Sequence, residues 1–519
     1  MKKKIFALLL ALTLALSVFA MAGCQANTPV ASGTPAPSAA AGESAAAPAT
    51  KAPAGEAPTL VWLMGDPGKV PVDEALVEEA LNKVSVEKLN VKMKTVFYND
   101  EKIKLALSTG EAFDMAFTCE WFNNYAVQAK AGYFADITDK LKTVTPELYA
   151  TMPDVVWDGA KIDGKIYAIP VKKDYAAEMY YRFDKALFVD DLKMEIPATM
   201  KFEDVEKYLK AAKDAFAAGN KAAENAEFPL KFNKDGYGGI DSNFDMINRD
   251  ALLGIPYSAV GTDAESKIVV TVESPDLVSR LTLLNKWYKA GYINQDAATI
   301  DDAGKYSAVK NGQGFYGADA IWSGGDGYTQ LISKFSGPYL STSSIRGSMN
   351  AIAASSKYVD LALQYQQLVN TDVNFRDTLR YGIEGTHFNR TAEGLIQKTQ
   401  QGRDNYGPWA FSQGSYSLST PEAAEGVTVD PNMWKVIFDG YKDAVATKTI
   451  GFSFDVTNVE TEIAAVAAAK KKYWNGLVTG TMDPATTLPT MITEMEAAGL
   501  RKVQEEAQKQ FDAYLAAQK

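Results

Sequence analysis

The 519-residue sequence holds one histidine, His387, and two cysteines, Cys24 and Cys119. That scarcity removes most metal and nucleophile chemistry at once. An imidazole-rich zinc site is nearly excluded, and any Ser/His or Cys/His mechanism would have to run through His387. Carboxylate chemistry stays open, because Asp and Glu number 64. Two short motifs carry the letters of known sites without their context. Gly312-x-Gly314-x-x-Gly317 matches a dinucleotide fingerprint, but the spacing predicts glycines running into and through a strand instead of joining strand to helix. Asp241-x-Asn243-x-Asp245 has the alternating polar positions of a calcium loop. Met246 stands where that loop needs glycine, and no Glu occupies the twelfth position. No metal and no cofactor is expected. Lys470-Lys471-Lys472 reads as a solvated helix face.

Composition narrows the classes further. Lys and Arg number 53 against 64 acids, a net charge of −11. An acidic chain argues against nucleic acid as a partner, since affinity there comes largely from neutralising phosphates. Two cysteines make no disulfide scaffold. At roughly 100–200 residues per domain the length allows two or three lobes.

The N-terminus carries its own signal. Lys2, Lys3 and Lys4 are followed by an apolar stretch from Ile5 to Ala20 and then Met21-Ala22-Gly23-Cys24. A basic start, a short apolar core and small residues before a break describe a secretory signal. The stretch is short for a span of ~20 residues. Ala-Gly-Cys resembles a bacterial lipobox, in which cleavage precedes Cys24 and the thiol is lipidated; Met21 replaces the usual Leu. Residues 25–58 are dominated by Ala, Pro, Gly, Ser and Thr and contain no aromatic. Such a segment cannot bury enough apolar surface to fold. It reads as a disordered tether reaching on the order of 30 Å. No second hydrophobic stretch of membrane length follows, so the rest is expected to be soluble. Cys119 is then a lone thiol, most simply buried.

The elements that would position a site come next. Thr59-Leu-Val-Trp-Leu-Met64 is a short apolar run ending at Gly65-Asp-Pro-Gly68, a buried strand and a turn. Asp73 to Lys88 carries apolar residues at 76, 77, 80, 81 and 84, a helical stripe. Asn90 to Phe97 alternates as a strand, Glu101 to Ser108 reads as a helix, and Phe113 to Thr118 reads as another buried strand. This alternation implies a parallel sheet with right-handed crossovers. Ligands bind such sheets at the carboxyl ends of strands, here Gly65–Lys69 and Cys119–Tyr125. Further along, Lys201–Ala217 and Leu277–Ala290 read as helices, and Ile268–Val272 and Gly314–Gly317 as strands. Val459–Tyr473 and Ala485–Ala517 read as helices.

The order of these elements, with "STGEAFDMAFT", an aromatic loop, "AKAGYFADITDKL" and "KIDGKIYAIPV", resembles extracellular solute-binding proteins of ABC importers, family 1, the sugar-binding class. "SMNAIAASSKYVDLALQYQQLVNTD" resembles a later stretch of that family. "YGIEGTHF" and "GFSFDVTNVETEIAAVAAAKKKYWNGLVTGTMDP" are similar to a Firmicutes-type lipoprotein subgroup with a C-terminal helical domain of unknown function. The resemblance implies an α/β, two-lobe, periplasmic-binding-protein-like (class II) fold with a C-terminal helical extension. The expected divisions are 1–23 signal peptide, 24–58 lipidated cysteine and linker, and 59–172 plus 336–352 lobe 1. Lobe 2 is then 173–335 plus 353–450, and the helical domain 451–519. On that plan His387 and Glu384 form a hydrogen-bonded loop near the lobe junction.

Sugars present apolar C–H faces that stack on aromatics, while Asp, Asn, Glu and Arg bond their hydroxyls. The chain has eight Trp, 25 Tyr and 23 Phe, so candidates are restricted to aromatics in strand-end loops with polar neighbours. Trp121, Asn124 and Tyr125 match the position of a sugar-contacting loop in the family, and Trp322 the position of a stacking tryptophan. Trp409 lies in a Gly/Pro turn and reads equally as a platform or a loop anchor. Asn243 and Phe244 are candidate contacts from the second lobe. Asp66, beside Lys69, is a candidate at the first strand's end, where a solvated turn is the simpler reading. The expected function is a membrane-anchored, outward-facing receptor that closes its lobes on an oligosaccharide and delivers it to permease subunits, acting as a monomer without catalysis. Two alternatives stay open: a receptor for a peptide or other polar solute, and a surface glycoside hydrolase, which needs two carboxylates ~5–10 Å apart across a cleft.

Overall fold

The computed structural model describes residues 55–65, 70–220, 227–423 and 428–518. Cys24 and Asp66 lie outside them. From the N-terminus the elements used below are β1 (Thr59–Gly65), α1 (Glu74–Leu89), β2 (Lys92–Tyr98), α2 (Asp100–Thr109), β3 (Met115–Thr118), α3 (Tyr125–Lys130) and β4 (Ala168–Pro170). Next come β5 (Ala177–Asp184), α4 (Glu206–Ala217), β6 (Phe244–Asn248), β7 (Leu253–Pro256), α5 (Pro275–Lys289), β8 (Val309–Gly314), α6 (Ala318–Asp326) and β9 (Gln330–Leu340). The last are β10 (Met349–Ile352), α7 (Val359–Thr371), α8 (Val373–Tyr381), α9 (Met433–Gly440), β11 (Val445–Ala446), α10 (Glu460–Val478), α11 (Pro484–Ala497) and α12 (Leu500–Ala517).

The first sheet has the order β2-β1-β3-β10-β4. β1 runs parallel to β2 and β3, as the alternating strand and helix pattern requires, and β10 returns antiparallel between β3 and β4. Leu60, Trp62, Leu63 and Met64 are all buried, which explains why β1 is a continuous apolar run: both faces of the sheet are covered. α1 covers it with Val77 and Leu81 and stops at Asn90, whose left-handed φ of 53° ends the helix. The second sheet has the order β8-β5-β9-β11, with β8 and β9 antiparallel to β5 and β11 parallel to β9.

Two hydrophobic cores follow. One joins β1–β4 and β10 to α7 and α8, together with Met433, Ile437 and Tyr441. The other joins β5–β8 and α4–α5 to residues 452–511. This corrects the expected division in one large segment. Residues 359–381 and 433–441 pack on the first core, not the second, because α7 and α8 lay their apolar faces against α1 and β10. The C-terminal helices also pack into the second core. Val466, Leu477, Met491, Val503 and Phe511 share the second core with Leu281, Leu284 and Trp287 of α5. Polar groups close the same seam: the Asn285 amide donates to the Gly480 carbonyl at 2.8 Å, and Gln504 donates to the Ile268 carbonyl at 2.9 Å. Among the described residues no helix is long and apolar enough to cross a membrane.

Besides the excursion of β8 and α6, which sets Phe315, Ala318 and Trp322 against the first core, the chain has three crossovers between cores, at 176–181, 335–340 and 441–452. The crossovers lie side by side, since Tyr339 of β9 is in register with both Ala177 of β5 and Val445 of β11. Gly337, at φ 86°, makes this possible: a Cβ there would collide with the Ala177 carbonyl oxygen. Beside it, Tyr257 and Tyr339 stack with ring centroids 3.9 Å apart and planes 2° from parallel.

Two local readings change. Only Val269–Val270 of the expected 268–272 strand pairs, and Phe315–Gly317 forms a turn. Gly312, Gly314 and Gly317 therefore do connect a strand to a helix, β8 to α6. The nucleotide reading still lacks its βαβ unit, because β8 is an antiparallel edge strand.

Candidate functional site

A cleft of about 1110 Å³ opens where the two cores face each other. Its walls are the loop after β3 with α3, the segment 409–416, β6 with the loops at its ends, and α6. Its floor is the crossover region, with Ser341–Ser344, Thr449 and Phe452–Val456. The volume lies just above the usual range of small-ligand sites, ~300–1,000 Å³.

The β3 loop places its side chains in opposite directions. Trp121 is 61% exposed, although its indole N–H already donates to the Gly347 carbonyl at 3.1 Å. Its ring is thus held at one edge and open on its face. Asn124 lines the cleft but spends its side chain on the backbone: it caps α3 by accepting from the Val127 N–H at 3.1 Å and donates to the Glu120 carbonyl at 3.0 Å. Tyr125 is not a contact residue. It is fully buried, and its hydroxyl donates to the Ala160 carbonyl at 2.7 Å and accepts from the Tyr167 N–H at 3.0 Å. The first turn of α3 points it into the core.

Trp409 meets Trp121 edge to face at 5.3 Å and packs on Phe117 at 5.2 Å. Its two readings therefore merge: it anchors a loop and lines the cleft. Phe411 and Tyr416 of the same loop stack at 4.9 Å and line it too. Sequence reasoning missed what holds this loop. Arg376 of α8 is fully buried and donates to the Ser415 carbonyl at 2.8 Å, the Gln413 side chain at 2.7 Å and the Ala410 carbonyl at 3.2 Å. Burial, with Arg380 nearby, pulls its guanidinium down to about 9. Arg380 in turn lies over the Tyr416 ring at 3.9 Å.

Trp322 sits within α6, not in a strand-end loop; α6 packs on β9 of the second sheet, while the Trp322 ring lies against the first core. Gly314 leaves the space its ring fills, and the Arg182 guanidinium lies 4.4 Å from the ring centroid. Trp121 and Trp322 thus reach one cleft from elements packed on different sheets. Phe244 lines it while mostly buried. Asn243 does not: its side-chain amide turns to Asp276 on α5.

The charges of the cleft are paired. Lys173 lies 3.0 Å from Asp174, Arg346 3.4 Å from Glu120, and Arg249 2.5 Å from Asp241. Lys470, expected in solvent, is only 14% exposed and lies 3.7 Å from Asp250. Asp245 is buried and accepts from the Thr447 and Thr449 hydroxyls; desolvation pushes its carboxyl up against those donors. These bonds occupy the carboxylates that suggested a calcium loop. Among the described residues no group of three or more potential ligands could hold a metal. His387 is buried, accepts from the Ile383 N–H at Nδ1 and faces Asp73 at 3.1 Å through Nε2. Glu384 pairs instead with Arg390. Both belong to the first lobe's periphery. Burial pushes the Cys119 thiol up to about 12, so it is inert.

Residues 448–516 match a family model described as a domain of unknown function, DUF3502. Over 464 residues the chain is 25% identical to a carbohydrate ABC transporter substrate-binding protein of Streptococcus pneumoniae serotype 4, covering 86% of this chain and 88% of that one. The crystal structure of the N-glycan transport solute binding protein (NgtS) from Streptococcus pneumoniae superposes with a TM-score of 0.78 at 24% identity, covering 89% of this chain and 100% of the other. The structure of the same protein in complex with Man5GlcNAc gives a TM-score of 0.68 at 23% identity, covering 89% and 99%. The expected two-lobe solute-binding fold with C-terminal helices is therefore present, and the chain resembles carbohydrate-binding proteins of ABC importers.

Proposed function

We propose that this chain captures an oligosaccharide between its lobes and delivers it to the permease of an ABC importer. The carrying observation is Trp121, a tryptophan 61% exposed on the wall of a cleft that Trp409, Phe411, Tyr416 and Trp322 also line. A large apolar ring pinned at its N–H and left open on its face suits the C–H face of a sugar. The three aligned crossovers suit closure of two rigid bodies about one axis. The relatives' names support the reading and suggest N-glycan fragments as first ligands to try. Asn243 and Tyr125 leave the list of contacts; Phe411 and Tyr416 join it.

Delivery outside the cytoplasm, with Cys24 as the lipid attachment point, is part of the proposal, and so is action as a monomer without turnover. Titration calorimetry against a glycan panel, with analysis of the products, tests it. Saturable binding without shortened products supports a receptor. Cleavage would make it a hydrolase, and binding only of peptides would replace the sugar.

A further inference from the structure

Resting on the oligosaccharide reading, we infer that the cleft selects an uncharged glycan and rejects carboxylate-bearing counterparts, because each charge on its wall already has a partner. Eight ionisable side chains of Asp, Glu, Lys and Arg line it. Three of them are cations, and each is matched to a carboxylate: Lys173 to Asp174, Arg346 to Glu120, Arg249 to Asp241. Asp250 looks to Lys470, and Asp245 to two threonine hydroxyls.

An anionic sugar needs a cation with donors to spare. Arg346 offers little: it is 1% exposed, and four of its five N–H groups already go to Glu120, Ser453 and the carbonyls of Gly159 and Lys161. Lys173 is 12% exposed. Only Arg249 is open, at 69%, and it stands among Asp241, Asp245 and Asp250 on one short segment of wall. A ligand carboxylate reaching it would meet three like charges, or would displace Asp241 and leave that carboxylate, 11% exposed, without a counter-charge. Hydroxyls carry no such penalty. They donate to the outer lone pairs of paired carboxylates and accept from paired cations without breaking a pair.

The experiment is calorimetric titration with matched glycans, a neutral biantennary glycan against its disialylated form and mannotetraose against a mannuronate tetramer. The neutral member of each binding pair should bind at least ~tenfold tighter at low salt. Asp241→Asn frees Arg249 and should narrow that ratio severalfold, while the Asp241→Asn/Arg249→Gln double variant should restore it. Thermal melts establish that both variants fold. Equal or tighter binding of the acidic member to the unaltered protein overturns the inference. An unchanged ratio in Asp241→Asn overturns the role given to the Asp241–Arg249 pair. If no member of either pair binds, the oligosaccharide reading itself falls, a result distinguishable from loss of selectivity.

Discussion

Trp121 and Trp409 meet edge to face, 5.3 Å between ring centroids, although 288 residues separate them in the chain. Trp409 supplies the support and Trp121 the open face. Trp121→Ala should therefore lose on the order of 1–4 kcal/mol of glycan affinity with little change in melting temperature. Trp322→Ala, on the helix that packs against β9 of the second sheet, should act alike. Calorimetry and thermal melts separate this from a core role, in which truncation would cost ~3–5 kcal/mol of stability and leave affinity intact.

Arg376 should matter for binding without touching ligand. Arg376→Lys keeps the charge but cannot present the fork that holds Ser415, Gln413 and Ala410. Lost bonds should destabilise the 409–416 loop by about 1–3 kcal/mol. The indole fluorescence change on ligand addition should shrink, with affinity falling in step.

Gly337 tests the hinge. Gly337→Ala forces a Cβ toward the Ala177 carbonyl at a positive φ, so the crossover must shift. The decrease in radius of gyration that ligand produces by small-angle scattering should be blunted. An unaltered decrease would mean that the lobes move about another point.

Glu74 gives a pH dependence. Desolvation raises its carboxyl to about 7, the Thr95 hydroxyl opposing and Glu78 adding; one carboxyl oxygen is buried without a partner. A proton held more tightly folded than unfolded stabilises below the ordinary value near 4.5 and is lost as pH climbs through about 7. Stability should fall across that window by on the order of 1–3 kcal/mol. Glu74→Gln should flatten the fall, gaining stability above pH 7 and little below 4.5, as read from melts across pH.

Cys24 is tested by Cys24→Ser and cell fractionation. The protein should leave the membrane fraction and lose its acyl chain. Retention of both would refute the anchor.

The parallel part of the first sheet was legible because its strands announce themselves locally: β1 and β3 are short apolar runs, β2 alternates, and α1 and α2 between them carry their stripes and stops. The direction of neighbouring aromatics was not. Trp121 and Tyr125 share one loop and one chemistry, and only the start of α3 at Tyr125 turns one inward. Arg376 escaped notice because a charged residue on a helix is expected in solvent, and its partners lie 34 to 39 residues away. The lobe assignment of 359–441 depends on which core a strand-and-helix segment returns to, which local pattern does not record.

The union of the C-terminal helices with the second core has a consequence for how the molecule is made. Residues 181–309 share that core with residues 452–511, so the lobe's interior cannot close until nearly the whole chain is present. The first lobe is also interrupted, but its strands β1 to β3 are contiguous and parallel. During synthesis the segment around α5 must therefore wait, its apolar face uncovered, for partners that emerge last. Holding Leu281, Leu284 and Trp287 open for that interval is a window for chaperone capture or misassembly, and a chain cut short before α12 would never leave it.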